Sequence, residues 1–364
     1  MKRIAITKFT LVKPYKFVAR KGIIKSIPKG FVLLKPIVAS ICKSEILYFK
    51  GEKEEEKIKK RLPMCLLHEG VAKIVAVGQH VDLNVGTHVV VNPMIPCGKC
   101  VGCKSEVGYS LCQKSKYMAS TTDGLSQTLL LYPSKKVIAI PKEVELEVAA
   151  LAEPLSIALK AFEVANPLKD DNIAVIGDGA IGYLLTLISS HLGKIPIDSL
   201  YFFGIINEKL LIAKDFSTIV NSARQEDSLH KLKEKFDIAF EVAGGQNQSL
   251  TINQSIELLK PAGKCIVLGL GKKKIEIDIN KIVNKGLLLR GSTRSEMKHF
   301  IKILDLMKDS SFKSKVKRII SKRKFVIRTP EDLEQAFRYA DTEDGYGRTI
   351  PGRSIVYLFQ DGPN

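Results

Sequence analysis

The chain contains no tryptophan, and aromatic residues make up only 7% of it. A platform of successive aromatic side chains, the usual device for stacking single-stranded bases, is therefore not expected. No run of about 18 uninterrupted apolar residues occurs, which excludes a conventional membrane-spanning helix. Acidic residues are under-represented, 38 against 57 Lys and Arg, for a formal charge of +19. The excess is spread along the chain, with local concentrations at residues 57–61, 272–274 and 313–324. Such a distribution reads as a solvated surface that suits anionic small molecules; neither a nucleic-acid nor a membrane partner is expected. The opening Met1-Lys2-Arg3 is basic, and Lys8 interrupts it before any long apolar stretch. A secretory leader is not expected from this pattern, and the expected location is the cytoplasm.

A length of 364 residues exceeds one ordinary core and predicts about two domains. Up to about residue 160, short β-type runs such as Phe31–Val38, Val71–Gly78 and His88–Pro93 alternate with Gly- and Pro-bearing turns. This pattern predicts a compact, partly closed β domain. After Pro167 the texture changes to buried-type strands alternating with helices: Asn172–Gly177, the apolar helix Ala180–His191, Ser199–Gly204, Ile238–Val242, Gly263–Gly269 and Leu287–Gly291. That alternation predicts βαβ units and a doubly wound parallel sheet. From about Met297 helical patterns return, followed by a closing strand, Ser354–Phe359. The expected division is 1–160, 161–295 and 296–364, the last segment rejoining the first domain.

Gly177-Asp178-Gly179-Ala180-Ile181-Gly182 fits G-x-G-x-x-G between a strand and an apolar helix. There the glycines permit a tight turn, close approach of the backbone to a pyrophosphate, and close helix–strand packing, while the helix N-terminus offers unpaired N–H groups. The next strand ends at Gly204, where an acidic residue would normally accept from the ribose 2′-hydroxyl. A missing carboxylate there, with Lys209 close by in sequence, predicts NADP(H) over NAD(H).

Four of the seven cysteines, Cys97, Cys100, Cys103 and Cys112, crowd into a loop at about residues 93–115. In a cytosolic chain such spacing predicts a closed tetrahedral zinc site that holds structure and performs no chemistry. Cys42, His68, Glu69 and Glu153 are dispersed, and spacing alone would not assemble them.

At these residues the sequence resembles the medium-chain dehydrogenase/reductase family of zinc alcohol and polyol dehydrogenases. The resemblance spans essentially the whole chain. It implies a GroES-like partly closed β-barrel catalytic domain beside a Rossmann domain. It also implies that Cys42, His68, Glu69 and Glu153 form a catalytic zinc site, with Glu69 as ligand or just behind the metal. Glu153-Pro154-Leu155-Ser156 is similar to the polyol-type branch, and the four cysteines to the structural-zinc lobe. Ser44 stands where the family's proton-relaying hydroxyl stands; a capping or surface serine is the other reading. A closer resemblance, to ribulose-5-phosphate reductases, lies in Leu62-Pro63-Met64, Gly177-Asp178-Gly179, Phe240–Gly245, Ile252-Asn253-Gln254 and Gly291-Ser292-Thr293-Arg294-Ser295. It implies NADPH-dependent reduction of a phosphorylated ketose. Arg294 would contact the cofactor or the substrate phosphate, or form a salt bridge. The four-cysteine lobe leaves open a sorbitol-like or threonine-like dehydrogenase with an unphosphorylated substrate. A non-catalytic binding protein on the same fold is a third reading, disfavoured by the intact donor set. By resemblance the chain is expected to form a homodimer or tetramer, and a cytidylyltransferase partner is compatible with it.

Overall fold

The computed structural model describes residues 3–105, 108–224, 226–271, 274–342 and 352–359. Met1, Lys2, Lys272 and Lys273, named above, lie outside them. The described chain forms two units: residues 3–153 with 295–342 and 352–359, and residues 154–294.

The first unit is built on a seven-stranded mixed sheet. Its main path runs Val137–Ala139, His88–Val91, Glu69–Val77, Phe31–Ser40, Arg353–Leu358, Ile320–Ile327, and Leu130–Pro133 also pairs with Phe31–Ser40. A three-stranded sheet, Lys16–Ile24, Ile4–Lys13 and Met64–Cys65, accompanies it. Leu34, Ile74, Val89 and Val356 turn inward to one apolar core, joined by Phe17, Phe49 and Phe337. The helix Pro330–Asp341 supplies Leu333, Ala336, Phe337 and Ala340 to that core, the spacing of one helical stripe. Thr329 caps it by accepting the Asp332 backbone N–H, and Pro330 occupies its first turn. The closing strand Arg353–Leu358 inserts between Phe31–Ser40 and Ile320–Ile327, so the last part of the chain completes the first sheet.

The second unit carries a six-stranded sheet in which every neighbouring pair is parallel. Its spatial order is Thr218–Asn221, Leu200–Gly204, Ile173–Ile176, Phe236–Glu241, Leu259–Val267, Leu288–Gly291. Numbered along the chain, that is third, second, first, fourth, fifth, sixth: the doubly wound dinucleotide-binding order. Ile173, Ala174, Val175 and Ile176 are all buried, as a central parallel strand covered on both faces requires. The architecture is therefore α/β, a Rossmann-type sheet in one chain with a GroES-like partly closed β unit.

Candidate active site

Three strands of the first unit end at one place. Phe31–Ser40 runs into Cys42, Glu69–Val77 begins directly after His68, and Arg353 opens the closing strand. Ser40 and Glu69 face each other across the antiparallel pair, and Ile41 donates its backbone N–H to the Ser354 carbonyl. This register gathers the donor atoms of Cys42, His68 and Glu69 to within 4.8 Å of one another. Glu153 lies outside that triplet, yet its charge still acts on those of His68 and Glu69.

Each donor is held from behind. Glu45, 1% exposed, accepts the Cys42 backbone N–H on Oε2 at 3.1 Å, and the Leu67 N–H and His68 Nδ1–H on Oε1 at 2.7 and 2.8 Å. One carboxylate thus fixes both ligand-bearing segments and, because it only accepts, assigns the Nδ1–H tautomer and leaves Nε2 for a metal. Burial opposes charge on the His68 ring. The Glu45 carboxylate and the Cys42 sulfur outweigh it and hold the imidazole pKa well above its ordinary value. Ser40 Oγ donates to Glu69 Oε2, and Arg353 Nη2 lies 3.3 Å from Glu69 Oε1. Oε1 nevertheless accepts no well-formed hydrogen bond, so one of the clustered donor residues keeps a buried acceptor oxygen open. Burial pushes the Glu153 carboxyl up to about 7, against the pull of nearby His68 and with the push of Glu69. Tyr117 donates its hydroxyl to Glu153 Oε1 at 2.9 Å and sets its ring edge-on to His68. Ser44 is exposed and donates to Cys42 Sγ at 3.4 Å. Mixed thiolate, imidazole and carboxylate donors suit a catalytic zinc with an open position.

The four cysteines of the loop converge as well. Their sulfurs lie 3.6 Å apart for Cys100–Cys103, Cys100–Cys112 and Cys97–Cys112, and 3.9 Å apart for Cys97–Cys103. Sulfurs bound to zinc at about 2.3 Å in a tetrahedron lie about 3.8 Å from one another, so the donor set fits a closed zinc site. The Cys103 backbone N–H lowers the Cys100 thiol to about 6, while burial pushes Cys103 up to about 12. The loop closes through the pair Met94–Ile95 with Lys116–Tyr117 and is tied down by Glu296, whose Oε1 accepts the Ser110 N–H at 3.1 Å.

In the second unit, the glycine loop has the geometry its pattern predicts. Gly177 adopts φ +129°, and a Cβ on Gly182 would sit 1.9 Å from the Gly177 carbonyl oxygen. A Cβ on Gly179 would meet nothing within 4 Å, so an open cradle remains there for a ligand. The helix Ala180–His191 starts at Gly179 without a side-chain cap, leaving first-turn N–H groups of Ala180 and Ile181 for phosphate. Both observations fit a dinucleotide.

Gly204 stands at the end of its strand, but the space beside it is not free of charge. A Cβ on Gly204 would lie 2.4 Å from Asp178 Cβ, and Asp178 Oδ2 accepts the Ile205 and Ile206 N–H groups at 2.8 and 2.9 Å. The carboxylate absent from the strand is thus contributed by the glycine loop. Lys209 sits half-buried in the short helix Asn207–Leu211, directly after it. Arg294, half-buried with φ +54°, follows the sixth strand. Three strands separate the second strand from the sixth. At about 4.8 Å per strand, the two strand ends are roughly 19 Å apart, so Lys209 and Arg294 follow well-separated strands of the sheet.

Sequence reasoning missed Glu45, Arg353, Tyr117 and Asp178. Glu45 had a signal, an acid three residues into a helix that starts at a ligand; Arg353 had none, being remote in sequence from Glu69.

The fold and the site together define a class: a chain with a doubly wound dinucleotide-binding sheet and a mixed-donor cluster that fits a metal ion. Residues 28–142 match the alcohol dehydrogenase GroES-like domain family, and residues 146–344 match the glucose dehydrogenase C-terminus family. The chain belongs to the medium-chain zinc alcohol dehydrogenase family and is an oxidoreductase. It is 28% identical over 347 residues to ribulose-5-phosphate reductase 1 of Staphylococcus aureus, covering 94% of this chain and 97% of that one. It is also 28% identical over 322 residues to ribulose-5-phosphate reductase of Bacillus spizizenii, covering 88% and 91%. Among solved structures, S. aureus TarJ in complex with NADPH is similar with a TM-score of 0.79 and 25% identity, covering 98% of this chain and 100% of that one.

Proposed function

We propose that the chain reduces the ketone of ribulose 5-phosphate to ribitol 5-phosphate with NADPH. The observation that carries the reading is near full-length similarity to ribulose-5-phosphate reductases in a chain whose own Cys42, His68 and Glu69 converge. When bound, zinc would draw electron density from the substrate carbonyl, and NADPH would supply the hydride. Cys42 and His68 hold the metal, and Glu69 or Glu153 completes the donor set. Glu45 keeps the His68 lone pair aimed inward. The exposed Ser44 hydroxyl holds the proton that passes to the product oxygen. The four cysteines hold a second, structural zinc. The Gly177–Gly182 loop binds the pyrophosphate, and Lys209 takes the 2′-phosphate of the adenosine end. Arg294, on the far flank of the sheet, serves the opposite end of the nucleotide or the sugar phosphate. The exposed edge strand Leu288–Gly291, with Ile279 and Val283 exposed nearby, supports a homodimer joined along that edge.

The test is NADPH oxidation by the zinc-loaded protein with ribulose 5-phosphate, beside ribulose, xylulose, sorbitol, xylitol and threonine in the appropriate directions. Turnover of an unphosphorylated polyol and of no phosphorylated ketose would overturn the substrate. Lys209→Ala should weaken NADPH binding about tenfold and leave NADH unchanged; equal losses for both would remove Lys209 from the 2′-phosphate. Gly204→Asp is a poor probe of the same question, because its Cβ would strike Asp178.

A further inference from the structure

Glu241 is a fully buried carboxylate, 0% exposed, and none of the ion pairs among the described residues involves it. It is the last residue of the fourth strand of the parallel sheet, Phe236–Glu241. That strand and the first, Ile173–Ile176, are hydrogen-bonded neighbours, and their onward connections leave to opposite sides of the sheet. In such sheets the crevice beyond their carboxyl ends is where a dinucleotide lies.

The carboxylate is spent on one short segment. Glu241 Oε1 accepts the Ala243 N–H at 3.1 Å, the Gly244 N–H at 3.0 Å and the Thr251 hydroxyl at 2.8 Å. Gln248 donates to the Gly269 carbonyl at 2.5 Å and stands 3.5 Å from Glu241 Oε2. The segment it holds is tightly fitted. Gly244 has φ +59°, and a Cβ there would lie 2.8 Å from the Leu270 nitrogen; the Gly245 N–H is donated to the Leu270 carbonyl at 2.9 Å. On its other side, a Cβ on Gly177 would lie 2.7 Å from the Ala243 nitrogen. The turn at 243–245 therefore abuts the first glycine of the phosphate loop. A buried polar group is costly unless its hydrogen bonds are made, and here three donors converge on the single oxygen Oε1.

We infer that Glu241 is a positioning residue for the nicotinamide nucleotide: its carboxylate sets the Ala243–Gly245 turn as a rigid wall of the crevice against Gly177. The inference rests on the nucleotide reading above. Glutamine keeps the acceptor oxygen that takes all three donors; alanine removes it.

The experiment measures NADPH and NADH affinity directly, by nucleotide fluorescence on the zinc-loaded protein without substrate, with thermal stability recorded for each variant. Glu241→Ala should raise the Kd for NADPH at least about tenfold, and Glu241→Gln should restore most of it. At saturating NADPH, the KM for the ketose should stay within about twofold of wild type. If alanine does not fold, Thr251→Val removes one donor and should raise the NADPH Kd about threefold. Wild-type protein that binds neither nucleotide would sink the nucleotide reading itself. Wild-type binding with unchanged affinity in folded Glu241→Ala, or in Thr251→Val where alanine fails, overturns the positioning role alone.

Discussion

The first unit holds two clusters of candidate metal donors built in opposite ways. Cys97, Cys100, Cys103 and Cys112 come from one loop, use a single donor type, and remain partly exposed apart from Cys112. Cys42, His68 and Glu69 come from the ends of two strands, combine sulfur, nitrogen and oxygen, and are backed by buried Glu45 and Arg353. A loop can close on a metal with little help from the rest of the fold. An open, chemically mixed site needs a scaffold that fixes each donor separately, and the supporting residues are the mark of that need. The two regions also touch: Tyr117, which closes the cysteine loop, hydrogen-bonds Glu153 beside His68.

The largest expected effect separates chemistry from structure. Cys42→Ala or His68→Ala should lower kcat/KM by about 10³-fold or more with the fold retained and one zinc lost per chain. Cys100→Ala should also cost one zinc per chain, but should act mainly through a lower melting temperature, with activity per folded molecule retained within about tenfold. Metal analysis beside calorimetry and steady-state rates checks both; equal activity losses at the two sites would erase the distinction.

Next, Arg353→Met leaves Glu69 buried without its ion pair. A loss of about 3–5 kcal/mol is expected in denaturant unfolding of the metal-free protein, and a smaller one when zinc neutralises the carboxylate. No difference between the two forms would mean that Glu69 does not answer to the metal.

Glu45→Gln should weaken zinc at the Cys42/His68 site about 10–100-fold, read by chelator competition, and leave the four-cysteine site unchanged. The smallest effect is expected for Tyr117→Phe, about 1 kcal/mol or roughly fivefold in kcat/KM. A fall in melting temperature without that kinetic change would make Tyr117 a brace of the cysteine loop alone.

Much of the second unit was readable because its signals are local. Strand, glycine loop and helix follow one another within Ile173–His191, and the helix runs Ala180–His191 as its apolar pattern predicts. The four-cysteine cluster was readable for the same reason. The dispersed donors were legible only through family resemblance, since no local pattern links Cys42 to His68 or to Glu153. Gly204 shows the limit of reading position by position. The strand lacks the acid, yet Asp178 brings a carboxylate to the same place from the preceding turn.

By itself the sequence determined what neighbours along the chain can do: the alternation that makes a parallel sheet, the glycines that open a phosphate cradle, and the thiols spaced to close on one ion. Only the tertiary structure decided which distant groups meet. The register of Ser40 against Glu69 and the insertion of the closing strand bring Arg353 to Glu69, while the helix after Cys42 delivers Glu45 to His68. The physical reason is that strand pairing sets contacts between segments far apart in sequence, and a buried charge is tolerated only where those contacts supply its partner.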